Sequence, residues 1–256
     1  MNTQENKIAL VTGGSRGLGR DMAINLAKKG INVVLTYKSN KQAADTVVAE
    51  IENSGQKALA LQLDVSDHNK YAGFFSNELR PRLQETFSTS KFDFLINNAG
   101  TGLSTPFAET TVSQFDDLLN IHFKAGYFFT QQALEYLNEG GGIVNISSGL
   151  TRIIYPGSSA YASMKSALET LTKYQAKELA QRRIRVNIVA PGAIETDFSG
   201  GFVRDNKQVN DHIASLTALG RVGLPTDIGP VVAFLCTEEA YWINAQRIEV
   251  SGGQAI

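Results

Sequence analysis

The sequence predicts one α/β domain, a doubly wound parallel sheet of seven strands with helices on both faces. Short apolar runs, each the length of a buried strand, alternate with longer stretches of helical periodicity along the chain. A glycine-rich turn joins the first run to the first helix. No repeat, low-complexity tract or linker divides the 256 residues, so we expect residues 1–256 to form a single domain.

The predicted elements follow one another in order. Apolar runs predict strands at 7–11, 33–35, 58–63, 92–96, 143–147, 184–189 and 248–250. Apolar residues at helical spacing predict helices at 18–29, 41–53, 67–88, 113–138, 159–181 and 226–236. The region 191–224 is the least regular, because glycine and proline are frequent in it.

The glycine-rich turn after the first strand has the spacing Gly-x-x-x-Gly-x-Gly, with glycines at 13, 17 and 19. Strand, glycine turn, helix and strand together form a βαβ unit of the Rossmann type, which binds dinucleotides. A turn without side chains lets a pyrophosphate approach the backbone at the N-terminus of a helix. The turn therefore predicts nucleotide binding, although a glycine-rich turn alone is weak evidence.

Tyr161 and Lys165 are four residues apart, so they lie on one face of the predicted helix 159–181. Ser148 precedes Tyr161 by thirteen residues and follows the strand 143–147. A phenol titrates near ~10, and an ammonium beside it favours the phenolate, so we expect a lowered pKa at Tyr161. Hydroxyl, phenol and ammonium together can move a proton on or off a carbinol oxygen.

Further polar residues follow the ends of predicted strands, where ligands of open α/β sheets bind. Asp64 could cap the next helix or accept a hydrogen bond from an adenine amino group. The turn Asn97–Gly100 could be ordinary turn chemistry or a small surface along which a nucleotide passes. Asn120 lies inside a predicted helix, and it could bond its own backbone or anchor a water at an active site.

Composition excludes several classes of function. The formal net charge is −1, which argues against nucleic acid or an anionic membrane surface as a partner. One cysteine and three scattered histidines predict neither a disulfide nor a metal site. No run approaches the ~18 apolar residues of a membrane span, so we expect a soluble, cytoplasmic protein.

The chain resembles the short-chain dehydrogenase/reductase family over essentially its whole length. The motifs that carry the resemblance occur in family order: TGGSRGLG (12–19), DV (64–65), NNAG (97–100), Asn120, Ser148, YASMK (161–165), PG (191–192) with Thr196, and SGG (251–253). Each motif is weak alone, but their common order on successive strand ends is specific.

The resemblance implies a role for each matching residue. Tyr161 is implied as the general acid and base, and Lys165 as the group that lowers the pKa of Tyr161 and holds the nicotinamide ribose. Ser148 is implied as a hydrogen-bond donor to the substrate oxygen. Asn120 is implied as the residue that holds a relay water. The implied cofactor-binding residues are Gly13, Ser15, Arg16, Gly17, Leu18, Gly19, Tyr37, Lys38, Asp64, Val65, Asn98, Ala99, Gly100, Tyr161, Lys165, Pro191, Gly192, Ile194 and Thr196.

Charge at the end of the second strand predicts NADP as the cofactor. NAD preference needs a carboxylate there, but this chain has Thr36, then Tyr37 and Lys38, and Arg16 lies in the glycine turn. Two cations without an acid suit a 2′-phosphate. The alternative is that Arg16 and Lys38 are solvated surface charges.

The predicted function is NADPH-dependent reduction of a ketone or aldehyde, with a substrate lid at about 193–220 that contains a short helix. The candidate pocket residues are largely apolar: Leu150, Ile153, Tyr155, Ile194, Phe198 and Phe202. A 3-oxoacyl-[acyl-carrier-protein] reductase and a non-catalytic NADP-binding regulator are alternatives. The resemblance implies a homotetramer or homodimer, although residues 243–247 and Ser251 depart from the family pattern where subunits pack.

Overall fold

The computed structural model of the chain describes residues 7–256, so residues 1–6 of the predicted domain lie outside it. Its sheet confirms the predicted fold class, with seven parallel strands in the order β3-β2-β1-β4-β5-β6-β7. The strands are β1 (Ile8–Val11), β2 (Asn32–Tyr37), β3 (Ala58–Gln62), β4 (Phe92–Asn97), β5 (Leu137–Ile146), β6 (Arg185–Pro191) and β7 (Arg247–Val250).

Helices connect the strands and cover both faces of the sheet. They are α1 (Gly17–Lys28), α2 (Lys41–Asn53), α3 (Tyr71–Gly73), α4 (Arg80–Phe87), α5 (Val112–Leu118), α6 (Thr130–Ala133), α7 (Ser159–Glu178), α8 (Phe202–Asp205), α9 (Lys207–Ser215) and α10 (Pro225–Leu235). Two π-helical segments continue the helical path, Phe74–Leu79 between α3 and α4 and Leu119–Phe129 between α5 and α6. In the described part of the chain, no helix is long and apolar enough to cross a membrane.

Each face of the sheet has its own apolar core, because successive side chains of a strand point to opposite faces. Ala9 and Val11 of β1 pack in one cluster with α1, α2 and α10, whereas Ile8 and Leu10 pack in the other with the helices around Phe75. All four side chains of β1 are buried. Burial on both faces explains why the central strands are continuous apolar runs rather than alternating ones.

The prediction was wrong about where β5 begins and the preceding helix ends. The helix predicted at 113–138 ends with α6 at Ala133, and β5 begins at Leu137 rather than 143. The register slips in between, because Phe92 pairs with Leu137 but Phe94 pairs with Gly142. Gly140 has φ +72°, which a residue with a side chain rarely adopts, so the glycine run forms a bulge and the strand continues through it.

The strand order creates a crevice at the carboxyl edge of the sheet. β1 lies between β2 and β4, so the chain leaves β1 and β4 toward opposite sides of the sheet. Ligands of doubly wound sheets bind at such a switch point. The glycine turn follows β1 there, the turn 97–100 ends β4, and Ser148 and residues 191–196 follow β5 and β6.

Candidate active site

Lys165 is held at the end of β5 by one hydrogen bond. Its Nζ donates to the carbonyl oxygen of Ile146 across 2.7 Å, and its side chain is 4% exposed. Tyr161, one turn earlier on α7, lies beside it, with Nζ 5.7 Å from the centre of the phenol ring. The predicted pair therefore occupies one face of a helix that packs against the carboxyl end of the sheet.

Ser148 completes this group, and the neighbouring Ser147 is turned away from it. Ser147 is buried and donates its hydroxyl to Glu169. Ser148 begins the turn after β5, its hydroxyl accepts from the N–H of Leu150 (3.2 Å), and it lies close enough to the Tyr161 hydroxyl to act on the pKa of that phenol. The structure thus brings Ser148, Tyr161 and Lys165 together as predicted.

The pKa of Tyr161 moves in the direction opposite to the sequence-based expectation. Burial raises it to about 12, and the neighbouring Ser148 hydroxyl offsets only part of that effect. Lys165 does not lower it here; burial instead lowers the pKa of the Lys165 ammonium itself to about 8. The expectation of a lowered pKa at Tyr161 is wrong for this structure because loss of solvent outweighs the neighbouring charge. Tyr161 is therefore a protonated acid at neutral pH.

The glycine turn is locked against the turn that follows β4. The Asn98 amide donates to the carbonyl oxygens of Thr12 (2.9 Å) and Gly13 (3.2 Å), and the Thr12 hydroxyl accepts from the backbone N–H groups of Asn98 and Ala99 (both 3.0 Å). A β-carbon at Gly19 would collide with Gly13 and Asn98. Asn98 and Ala99 thus shape the turn, which supports the turn-chemistry interpretation of the motif.

The N-terminus of α1 fits a pyrophosphate. Arg16 precedes the helix without making a side-chain cap, and the first turn of α1 contains no acidic residue. The first N–H groups of the helix therefore have no side-chain acceptor, and the helix dipole favours an anion there. Gly17, Leu18 and Ser15 surround this end, and Thr196 lies across the crevice, 3.6 Å from where a Gly17 β-carbon would be.

Two cations are available for a 2′-phosphate, Arg16 in the glycine turn after β1 and Lys38 after β2, and Lys38 is held in an ion pair. Lys38 is exposed and pairs with Asp64 at 2.8 Å, whereas Arg16 is exposed and forms no ion pair among the described residues. Thr36 is buried, and its hydroxyl accepts from the N–H of Gly13 (3.2 Å). The Tyr37 ring is buried in the core, so of this residue only the backbone is left for the predicted contact.

Asp64 is already engaged by protein groups. Burial acts to raise the pKa of its carboxyl, but hydrogen bonds from Lys38 and Ser66 outweigh burial and lower it. Ser66 donates to it from both its N–H (3.0 Å) and its hydroxyl (2.7 Å). The carboxylate thus organises the turn after β3, beside the buried Val65. Both roles considered for Asp64 use its carboxylate as a hydrogen-bond acceptor.

The turn after β6 is braced by the C-terminal segment. The N–H of Ala193 donates to the Gln254 side chain (2.9 Å), and a β-carbon at Gly192 would meet Gln254 and Ser251. Pro191 is buried at the end of the strand, and Ile194 packs against the core beside it. The predicted residues of this turn therefore line the crevice on a rigid support.

The lid lies over Tyr161. The ring of Phe198 is 6.0 Å from that of Tyr161 between centroids, and a β-carbon at Gly102 would collide with Phe198 and Ser199. Ser199, Gly200 and Gly201 all have positive φ, so the backbone reverses sharply just after Phe198. The segment 193–220 contains two short helices, α8 and α9, where the sequence predicted one.

The structure places His122, and not the predicted Asn120, in contact with the ring of Tyr161. Asn120 makes no side-chain hydrogen bond to Ser148, Tyr161 or Lys165 within residues 7–256, and its Oδ1 is buried without a partner. His122, one of the three histidines without ligand spacing, is 2% exposed, and its ring meets that of Tyr161 edge to face with the centroids 5.0 Å apart. The sequence contained a signal for His122, because it is a polar residue in an otherwise apolar helical stretch. Asn120 has the same property, and helical spacing alone does not say which of the two faces α7.

Comparisons with known proteins agree with this geometry. A family model described as enoyl-(acyl carrier protein) reductase matches residues 13–255. An uncharacterised oxidoreductase of Methylorubrum extorquens is 36% identical over 253 residues, 99% of each chain. The tetrahydroxynaphthalene reductase PfmaG of Pestalotiopsis fici is 35% identical over 260 residues, 96% of this chain and 91% of the relative.

Solved structures are similar over the same length. LugOII, a promiscuous reductase that catalyses keto-reduction at C1 during lugdunomycin biosynthesis, has a TM-score of 0.93 at 38% identity and 99% coverage of both chains. LanV, an angucycline C-6 ketoreductase with bound NADP, has a TM-score of 0.92 at 35% identity, with 98% of this chain and 96% of LanV covered.

Proposed function

Because the chain belongs to the short-chain dehydrogenase/reductase family, we propose that it reduces the carbonyl group of a ketone or aldehyde with NADPH, and oxidises the alcohol in reverse. One observation carries the proposal. Ser148, Tyr161 and Lys165 meet at the carboxyl edge of the sheet, beside a helix N-terminus that fits a pyrophosphate. That arrangement supplies an acid for the oxygen of a substrate.

The proposed mechanism assigns proton chemistry to the protein. NADPH, when bound, supplies the hydride to the carbonyl carbon. Ser148 hydrogen-bonds the substrate oxygen and stabilises the negative charge that develops there. Tyr161 gives its hydroxyl proton to this oxygen, so that the alcohol leaves neutral and a phenolate is left. Lys165, whose ammonium lies beside the ring, stabilises the phenolate. The role of Asn120 as a relay stays a prediction.

NADP rather than NAD is supported by the charges around the adenosine end of the crevice. Arg16 and Lys38 are both exposed there, and Thr36 bonds the glycine turn instead of offering a carboxylate. Asp64 is the acid nearest to Lys38, and it is held by Lys38 and Ser66. LanV and a Burkholderia cenocepacia relative, both described with NADP, support the same choice.

A ketone with a flat aromatic body suits the mouth of the site. Tyr155, Phe198 and Phe202 are each about half exposed, at 51%, 44% and 47%, and Phe198 lies against Tyr161. Aromatic faces favour a polycyclic substrate over a flexible chain. Relatives whose names refer to hydroxynaphthalenes and angucyclines support this substrate class.

Reduction of a carrier-bound 3-oxoacyl group is the second candidate, favoured by the description of the family model. Docking an acidic carrier needs free cations at the mouth of the site. Arg152 does not meet this need, because Glu249 and the carbonyl oxygens of Gln254 and Ala255 hold its guanidinium. The aromatic side chain on the lid and the named relatives make the aromatic ketone the better supported substrate.

Assembly as a homotetramer or homodimer in the cytoplasm is also proposed. Apolar side chains stay exposed on the neighbouring helical segments around 115–128 and α7, among them Phe128 (43%) and Tyr174 (63%). Trp242 is 96% exposed. Such surface is typical of subunit contacts. Light scattering of the purified protein measures the mass directly, and fractionation of cells measures the location.

A single assay tests the central proposal. The purified protein is mixed with NADPH and a panel of ketones that includes naphthols in their keto form, simple aromatic ketones and a 3-oxoacyl thioester. NADPH is followed by the ultraviolet absorbance of its reduced nicotinamide. Loss of this absorbance in the presence of an aromatic ketone supports the proposal. Binding of NADPH without turnover of any carbonyl would support the non-catalytic alternative.

A further inference from the structure

His122 is a buried histidine for which the mechanism above has no use. Its ring packs edge to face on Tyr161, the proposed acid. On its other side, a β-carbon at Gly100 would lie 2.8 Å from the ring, so the glycine leaves space for this histidine. The ring is therefore fixed between the turn after β4 and α7.

The shorter of two contacts of Nε2 assigns the tautomer of His122. Nε2 lies 2.7 Å from the carbonyl oxygen of Thr101, which only accepts, and 3.4 Å from the N–H of Thr101, so we assign the proton to Nε2 on the shorter contact. Nδ1 is then left with a lone pair. It is inaccessible to solvent, and no group in residues 7–256 donates to it. A buried acceptor of this kind calls for a donor close by.

Lys165 has the donors that this acceptor lacks. Its ammonium carries three N–H groups, of which one is given to Ile146. Lys165 and His122 line the same cavity of about 10 Å³, together with the polar groups of Thr12 and Asn97. That volume is close to the space that one water molecule needs, and Lys165 offers it a donor and His122 an acceptor for its proton.

The charge state of His122 suits an acceptor. Burial, followed by the positive charge of Lys165, lowers its pKa to about 3, and the bond to Thr101 offsets this only in part. The titratable groups that face the ring are Tyr161 and Lys165, both on α7. His122 is therefore neutral at every pH at which the protein would work.

Asn120 does not lie beside Lys165 and Tyr161 as His122 does. It precedes His122 by two residues on the same helical segment, and residues two apart on a helix do not face the same way. It does not line the cavity with Lys165. Its own Oδ1 is also buried without a partner, so Asn120 is the alternative residue that the test has to include.

We propose that His122 is a positioning residue for Lys165, whose ammonium donates through one water molecule in this cavity to Nδ1 of His122. His122 then fills the place that the family resemblance assigns to Asn120. The bond keeps the ammonium charged and aimed at Tyr161, which stabilises the phenolate formed in each turnover. Its effect on turnover rests on the proposed function, whereas the hydrogen bond itself does not.

Carbon-13 labelling of lysine tests the hydrogen bond without any reaction. The Cε shift of Lys165 is titrated in the wild type, in His122→Phe, which keeps an aromatic ring, and in His122→Asn, which restores an acceptor. The midpoint for Lys165 should fall in His122→Phe and return toward the wild-type value in His122→Asn. His68→Phe, a change at an exposed histidine, should leave it unmoved. An unchanged midpoint in folded His122→Phe overturns the proposal.

Nitrogen-15 spectra of the unmutated protein keep the test open if His122→Phe does not fold. They should show His122 as the neutral Nε2–H tautomer between pH 5 and 9, with Nδ1 hydrogen-bonded. A protonated ring, or a proton on Nδ1, overturns the proposal.

Kinetics then separate positioning from packing. In His122→Phe, kcat for reduction should fall about tenfold or more while KM for NADPH stays near the wild-type value, and the alkaline decline in rate should move with the Lys165 midpoint. His122→Asn should recover part of the rate. If Asn120→Ala moves the Lys165 midpoint and His122→Phe does not, the relay belongs to Asn120. A wild type that reduces no carbonyl refutes the proposed function alone, because the titration still reports the bond.

Discussion

The ammonium of Lys165 donates to the carbonyl oxygen of Ile146 across 2.7 Å, and this bond fastens α7 to the end of β5. Because Ser148 follows β5 and Tyr161 lies one turn before Lys165, the same bond sets the distance between hydroxyl and phenol. It also holds a cation in a buried place where its charge is disfavoured. The position of the ammonium beside Tyr161 therefore depends on this contact.

Replacing Tyr161 by Phe should abolish turnover while leaving the crevice intact. The variant keeps the buried ring and loses only the proton donor, so we expect kcat to fall by the ~10²–10⁴-fold typical of lost acid catalysis. NADPH affinity, measured by fluorescence titration, should stay near normal. Tyr174→Phe, an exposed site on the same helix, is the matched control. Turnover within a few-fold of wild type would remove Tyr161 from the mechanism.

Replacing Lys165 by Met should make the protein without NADPH more stable at neutral pH. Burial lowers the folded-state pKa of Lys165 to about 8, whereas an unfolded lysine titrates near ~10.4. Between these values the unfolded chain binds more protons, so the free energy of unfolding rises with pH from about 8 to about 10. Tyr161 acts in the opposite direction above pH ~10, because its folded-state pKa is raised to about 12.

Urea denaturation at several pH values measures this effect. At pH 7, Lys165→Met should exceed the wild type by up to roughly 3 kcal/mol, the value of a shift of this size. The gap should narrow as pH approaches 10. If the free energies of unfolding of the two proteins change in parallel with pH between 8 and 10, burial does not destabilise the ammonium.

Coenzyme choice should depend mainly on Arg16. Arg16→Ala should weaken NADPH binding by about tenfold to a hundredfold, since a lost charge-assisted bond costs about 1.5–3 kcal/mol, and NADH binding should change little. Lys38→Ala should have a smaller effect, because Asp64 already pairs with Lys38. Lys91→Ala, an exposed cation elsewhere, controls for net charge. Equal affinity of the unmutated protein for NADPH and NADH would contradict the assignment.

An alanine at Gly102 should hold the lid away from the site. Its β-carbon would occupy space that Phe198 and Ser199 fill, and Phe198 covers Tyr161. We expect a higher KM for the ketone, unchanged NADPH affinity, and faster hydrogen exchange in the segment 198–215. Gly55→Ala is the control, because nothing lies near its β-carbon position, although its φ of +94° carries strain of its own. Unaltered KM and exchange would mean that the lid closes in another way.

Local patterns were sufficient to predict the fold and most of the site. The apolar runs mark β1 to β7 because strands buried on both faces need them, and the glycine turn follows β1 directly. The i, i+4 spacing of Tyr161 and Lys165 places both side chains on one face of a helix. These inferences succeed because each depends on residues that are close together in the chain.

Other properties depend on residues that are distant in the chain, and only the packed structure could decide them. The raised pKa of Tyr161 comes from burial by segments that no spacing rule places around it. The bulge at Gly140 follows from the register between β4 and β5. His122, and not Asn120, has its ring against Tyr161, and this contact joins the segment Leu119–Phe129 to α7. Loss of solvent and the facing of two helices are set by tertiary packing, so residues that look alike in the sequence acquire different chemistry.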